Sequence, residues 1–182
     1  FARLPPHTRA GHQLLLAGEM PAGNVAELIR KAESVGLKAD EIRFSGYVTD
    51  EELVQLYNLC KLFVFPAWHE GLGLAALEAM ACGAAVIGAS SSSLPEVIGS
   101  DSALFDPHSE EAIAHAITRG LTDDVFRDAL VSHGRRQAKR FSWDESAKRV
   151  IASFEALYSK CDAFEPVLLP QNQRQAVDRL PV

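Results

Sequence analysis

The chain has 182 residues, 47% of them hydrophobic and 23% charged, with 12 Gly and 9 Pro. That balance suits one soluble core and excludes collagen-like, low-complexity and disordered chains. A net charge of −6 gives no basic footprint for nucleic acid or an anionic membrane, so any phosphate must be bound locally.

Short apolar runs alternate with helical periods along the chain. HQLLLAG (12–18) reads as a buried strand, and Val25, Leu28, Ile29 and Ala32 mark a helix over 23–35 that Gly36 closes. EIRFSG (41–46) is the next strand. The following helix is capped by Thr49 or Asp50 and carries Leu53, Leu56 and Tyr57 on one face. KLFVFP (61–66) is the most apolar strand, and the loop AWHEGLG leads from it into a helix over 74–82. AAVIGA (84–89) and ALFDP (103–107) complete the strands, before helices at 109–121, 123–140 and 143–160. From Cys161 to Val182, three prolines, polar amides and no period read as a linker or tail.

Strand and helix in alternation predict a doubly wound α/β fold, a parallel sheet covered on both faces. Ligands in such sheets sit at the carboxyl ends of strands, which points to the loops after residues 17, 46, 66 and 89. Cys60, Cys82 and Cys161 fit neither a disulfide framework nor a zinc site, and the six histidines are scattered, so no metal is expected and a reducing cytoplasm is. No apolar run approaches the ~20 residues that span a bilayer.

The densest loop is HEGLGLAALEAMACG, from His69 to Gly83. Gly71 and Gly73 let a ligand approach the backbone, and the helix starting near Leu74 offers free N–H groups to an anion. Glu70 and Glu78 bracket that anion site and accept hydrogen bonds from neutral hydroxyls, Glu78 from a pair such as those of a ribose. An anion between two carboxylate readers of hydroxyls describes a nucleotide sugar. Two blander readings stand beside it: a tight Glu-Gly-x-Gly connection, and an acid placed early in a helix to suit its dipole. Gly71, Gly73 and Ala76 also satisfy a dinucleotide fingerprint, but Pro66, Ala67, Trp68, His69 and Glu70 intervene where its first Gly should directly follow the strand, and the next strand ends in Ala89-Ser90 without an acid.

The run FVFPAWHEGLGLAALEAMACGAAVIGASSSSLPEVIG resembles the donor-site core of retaining group 1 (family 4) glycosyltransferases of GT-B fold, whose hallmark is Glu-x7-Glu followed by A-x-G-x-P-V-I; the two acids here are Glu70 and Glu78. The likeness covers about residues 1 to 160, with FSGYVTDEELVQLY before the motif and FDP and FSW after it; LPEVIG and FSWDESA are most similar to bacterial mannosyltransferases of O-antigen and capsule assembly. Ala67, Ala75 and Ala84-Ala85 depart from the family's usual Ser, Pro and Thr-Pro.

The resemblance implies a Rossmann-like C-terminal lobe of GT-B, lacking the first strand of its order 3-2-1-4-5-6. Residues 1–160 form that incomplete domain, 161–182 follow as a tail, and the chain reads as a piece of a longer protein. Glu70 is the implied catalytic-site acid, touching the transferred sugar. The amides of Gly71, Leu72, Gly73 and Leu74 hold sugar and diphosphate, Glu78 binds the ribose, and Tyr47 and Val48 meet the base. Asp50 is a candidate reader of guanine, its commoner role being a helix cap. The donor expected is a nucleoside diphosphate sugar, GDP-mannose, with no cofactor, and the acceptor a saccharide or lipid-linked saccharide. An N-terminal lobe in cis and peripheral contact with the inner face of the membrane are the further expected partners. The fragment alone is expected to be inactive. A non-catalytic GT-B-like nucleotide-binding or interaction module is the alternative. His69 adjoins the motif as a candidate contact to sugar or phosphate, while its neighbours Trp68 and Pro66 point to a packed loop; Trp143 is expected to pack the last helix, and Ser90 to Ser93 either contact phosphate or hydroxyls or form an ordinary serine-rich loop. Arg135, Arg136, Lys139 and Arg140 are expected to form a solvated basic face.

Overall fold

The computed structural model describes residues 1–159, so the expected tail lies outside the described residues. Two compact units are present, Phe1–Arg140 and a second that opens at Phe141. In chain order the first holds α1 (Pro6–Arg9), β1 (Leu14–Ala17), α2 (Ala22–Ser34), β2 (Ile42–Gly46), α3 (Asp50–Leu59), β3 (Phe63–Phe65) and α4 (Leu74–Cys82). It continues with β4 (Val86–Ala89), α5 (Leu94–Ile98), a 3-10 turn (Asp101–Ala103), β5 (Leu104–Phe105), α6 (Glu110–Thr122) and α7 (Asp124–Ala138). Each expected strand is present and shorter than its apolar run.

Two short helices, α1 and α5, fall outside the expected elements. Both carry Pro in the first turn. Proline there loses only an N–H that the helix start would leave unpaired anyway.

All the strand pairing is parallel, but the strands do not form one sheet. β1 pairs β2 with Leu14 opposite Ile42, and β3 pairs β4 with Phe63 opposite Val86. β5 joins the far side of β4, giving orders β1-β2 and β3-β4-β5. The break falls where the resemblance places its absent central strand. β1 and β3 are therefore both edge strands, and burial follows: β4, paired on both sides, is buried at all four residues, whereas the equally apolar β3 is only half-buried.

The core is built around β4. Val86, Ile87 and Ala89 of β4 are buried together with Ala76, Ala79 and Met80 of α4 and Leu94, Val97 and Ile98 of α5. α4 is apolar over almost its whole surface, which is why it is covered; α7 buries a stripe of Phe126, Leu130, Gly134 and Gln137 at helical spacing. A β-carbon on Gly134 would stand 2.9 Å from Met80 Cγ, so the missing side chain permits close approach of α4 and α7. The buried Gln137 amide donates to the carbonyls of Glu96 (2.9 Å) and Val97 (3.2 Å), pairing groups that the short helix α5 leaves open.

In the second unit, α8 (Trp143–Tyr158) starts at Ser142, whose hydroxyl accepts from the Glu145 amide at 3.4 Å. Its apolar residues are not buried, and Trp143 is exposed, contrary to the packing role expected of it. No helix among the described residues is long and apolar enough to cross a membrane.

Candidate functional site

The loop between β3 and α4 and the loop between β4 and α5 leave the carboxyl ends of neighbouring strands. Three hydroxyls tie them together. Ser91 Oγ donates to the Ala67 carbonyl at 2.8 Å, while Ser92 Oγ and Ser93 Oγ both donate to the Glu70 carbonyl, at 2.6 and 3.0 Å. The single proton of each hydroxyl is thus spent on holding the motif loop, a structural duty that leaves their oxygens only as acceptors. Ser92 is the one non-glycine residue with positive φ (53°) among those described, a conformation that L side chains adopt at a cost.

Gly73 is the N-cap of α4, with φ +86°. A β-carbon there would stand 2.7 Å from Leu94 Cδ2 and 3.7 Å from Glu70 Cγ, so both conformation and space require glycine. Gly71 differs: its φ is not positive and nothing lies within 4 Å of a β-carbon placed there, so the turn rests on Gly73 alone. No side chain caps α4, and the amides from Gly71 to Ala75 donate to no acceptor among the described residues; Ala76 and Leu77 donate to the Gly73 carbonyl. Two of these amides belong to the loop and three to the cap and first turn of α4, where unpaired N–H groups and the positive end of the helix dipole favour an anion. Leu72 and Leu74 leave their side chains in solvent.

Glu70 stands at the head of this run and Glu78 a turn and a half into α4. The Glu70 carboxylate has no hydrogen-bond or ion-pair partner among the described residues. Glu78 is exposed, and its Oε2 accepts from Tyr57 Oη at 3.1 Å. Tyr57 is buried on α3, with its ring edge-on to Phe63 at 5.5 Å between centroids. Burial first, then the bond to the carboxylate, push the phenol well above its ordinary pKa, so it stays a donor.

Tyr47, Val48 and Asp50 lie where β2 passes into α3, with Gly46 left-handed (φ +67°) at the strand end. The cap of α3 is Thr49, in a reciprocal capping box with Glu52; Asp50 is the first helical residue, not the cap. Its carboxylate accepts no hydrogen bond from the described residues. Tyr47 is exposed and Val48 half-buried. Asp50 lies seven positions before Tyr57 on α3, about 10 Å along the helix.

The loop around Trp68 is not packed as expected. Trp68 and His69 are both exposed, and the Trp68 ring lies 5.2 Å from the imidazole of His108. Arg135 and Arg136 near the end of α7, and Lys139 and Arg140 just past it, are exposed as expected. The Arg135 guanidinium lies beside Gly83, at the negative C-terminal end of α4. Sequence reasoning missed Tyr57 as a partner of the motif, placing it only on the apolar face of its helix, and missed the structural duty of the serines.

Residues 1–137 match the family model described as glycosyl transferases group 1. The serotype-specific mannosyltransferase WbdA of Escherichia coli is 42% identical over 157 residues, covering 86% of this chain and 19% of the relative. The O-antigen chain mannosyltransferase B of Escherichia coli is 37% identical over 157 residues, 86% of this chain and 41% of the relative. This chain thus spans about a fifth of the one relative and about two fifths of the other. Among solved structures, the sucrose-phosphate synthase of Thermosynechococcus elongatus aligns with a TM-score of 0.71 at 29% identity, covering 81% of this chain and 39% of that one. With a family model spanning most of its length and a relative above 40% identity, the chain belongs to the group 1 glycosyl transferases.

Proposed function

We propose that this chain forms the donor-binding part of a retaining mannosyltransferase that moves mannose from GDP-mannose to a saccharide or lipid-linked saccharide acceptor in surface polysaccharide synthesis. The observation that carries the reading is the row of free amides from Gly71 to Ala75 set between two carboxylates. The names of the two Escherichia coli relatives support the sugar and the kind of polymer.

In this reading the diphosphate oxygens accept from the amides of Gly71 to Leu74 at the start of α4. As the bond from the anomeric carbon to the diphosphate oxygen breaks, the electron pair leaves with the phosphate. Fixed N–H dipoles at that point stabilise the growing charge without reorganising. Glu70 accepts from hydroxyls of the transferred sugar and orients it. Glu78 accepts from the ribose hydroxyls, Tyr47 and Val48 border the base, and Asp50, freed from capping, accepts from guanine. The acceptor site and the remaining contacts to the sugar come from an N-terminal lobe in cis. A strand from that longer protein fills the break between β1 and β3. The setting is the cytoplasm, at the inner face of the membrane.

The test is transfer of labelled mannose from GDP-mannose by the intact protein. Glu78→Ala is expected to weaken donor binding at least about tenfold, the scale of hydrogen bonds to a charged acceptor, and Glu70→Ala to reduce turnover. The 182-residue chain alone is expected to bind donor weakly and transfer nothing. Full activity of Glu70→Ala or unchanged donor affinity of Glu78→Ala overturns the assignment. Donor binding without transfer by the intact wild-type protein favours a non-catalytic module.

A further inference from the structure

Glu78 is the one carboxylate in α4, an otherwise apolar helix packed into the core, and its neighbour Tyr57 comes from a different helix. The two observations need each other. A phenol that is 5% exposed requires a hydrogen-bond partner, and Glu78 supplies it at 3.1 Å. In return, the bond occupies one acceptor position of Oε2 and holds the carboxylate against rotation, while Oε1 keeps both its lone pairs free of protein donors among the described residues. A long glutamate side chain on an exposed helix surface otherwise samples several rotamers, and ordering it on binding costs free energy. The Tyr57 ring is fixed in turn by its edge contact with Phe63 of β3, so the anchor rests on the sheet itself.

We propose that Tyr57 is a positioning residue for Glu78, presenting its carboxylate in the one orientation that accepts from both hydroxyls of a vicinal diol, so that the site selects ribonucleotides over 2′-deoxyribonucleotides. The inference rests on the assignment of Glu78 to the ribose. With one position of Oε2 taken by Tyr57, the fixed carboxylate keeps an acceptor position on each oxygen for two adjacent hydroxyls and gains less from one.

The experiment titrates the intact protein with GDP, UDP and ADP by calorimetry, takes the tightest, and compares it with its 2′-deoxy form. Four proteins are measured: wild type, Tyr57→Phe, Glu78→Gln and the double variant. Tyr57→Phe keeps the ring and its contact with Phe63, and a melting curve checks its fold. The wild type is expected to prefer the ribonucleotide about tenfold. Tyr57→Phe is expected to reduce that preference to within about twofold while the affinity for the 2′-deoxy form stays unchanged, and to do nothing further in the Glu78→Gln background. If no nucleotide binds, or Glu78→Gln leaves the preference intact, the ribose assignment falls and the inference with it. If Glu78→Gln abolishes the preference and Tyr57→Phe preserves it, or weakens both nucleotides equally, the positioning role alone is overturned.

Discussion

Ser92 Oγ donates to the carbonyl of Glu70 across 2.6 Å, from a backbone held at φ 53°. A left-handed serine costs about 1–2 kcal/mol in backbone strain, and the hydrogen bond returns about 1 kcal/mol. The local arrangement is therefore close to balanced in stability, and its consequence is the fixed position of the Glu70 backbone. Ser92→Gly is expected to relieve the strain and lose the bond together, leaving the melting temperature nearly unchanged. Donor affinity is expected to fall about threefold to tenfold, and further when Ser93→Ala removes the second hydroxyl on the same carbonyl. Paired melting and binding measurements decide it: a large loss of stability with unchanged affinity contradicts the argument.

Gly73 makes the opposite prediction. Its left-handed φ and the 2.7 Å that would separate an added β-carbon from Leu94 Cδ2 both oppose a side chain. Gly73→Ala is expected to cost roughly 2–4 kcal/mol, adding strain of about 1–2 to the overpacking of a buried leucine. Gly71→Ala, with open space and an ordinary φ, is expected to be within about 0.5 kcal/mol of wild type. Chemical denaturation of the two variants checks the contrast, and equal effects would show that the two glycines share the turn.

The strands, the longer helices and the Glu70–Glu78 loop were legible in the sequence because each rests on a local pattern: an apolar run, a helical period, a glycine before a helix. Three features rest on contacts between distant residues and left no such mark. Tyr57 reads as one more apolar-face residue until α3 is laid against α4, when its hydroxyl meets an acid 21 positions away. Ser91 to Ser93 read as free hydroxyls until β4 is placed beside β3. The sheet broken between β1 and β3 was legible only through the resemblance, since periodicity identifies strands without saying which are neighbours. The commitment of Thr49 over Asp50 as the cap was within reach, because Glu52 three residues on completes a capping box.

Glu41 ties part of the stability to pH. Its carboxyl is held below the usual carboxylate range, first by the Lys38 amide that donates to it at 2.7 Å and then by the Arg9 guanidinium at 2.6 Å. A folded-state pKa below the unfolded value means that the stabilisation is complete above the unfolded pKa, near 4.5, and is lost as pH falls through the lower folded value. The melting temperature of the wild type is therefore expected to drop as the pH is lowered below about 4.5. Glu41→Gln is expected to begin lower at neutral pH and to show a shallower acid slope. Parallel slopes for the two proteins would assign the acid sensitivity elsewhere.

The proposed strand between β1 and β3 has a test at the level of single amides. Leu14 N–H donates to the Glu41 carbonyl and Phe63 N–H to the Ala85 carbonyl, so these residues face their partners β2 and β4. Successive N–H groups alternate in direction along a strand. Leu15 and Val64 thus turn their N–H and C=O groups away from β2 and β4, toward the break. In the 182-residue chain these two amides are expected to exchange with solvent deuterium at least tenfold faster than their neighbours Leu16 and Phe65, which are paired within their sheets. In the longer protein an inserted parallel strand accepts from both, and the difference is expected to vanish. Residue-resolved hydrogen exchange on the two forms reads the outcome. Slow exchange at Leu15 and Val64 in the short chain would mean that the edges are already satisfied, and fast exchange in the long one would mean that nothing pairs with them.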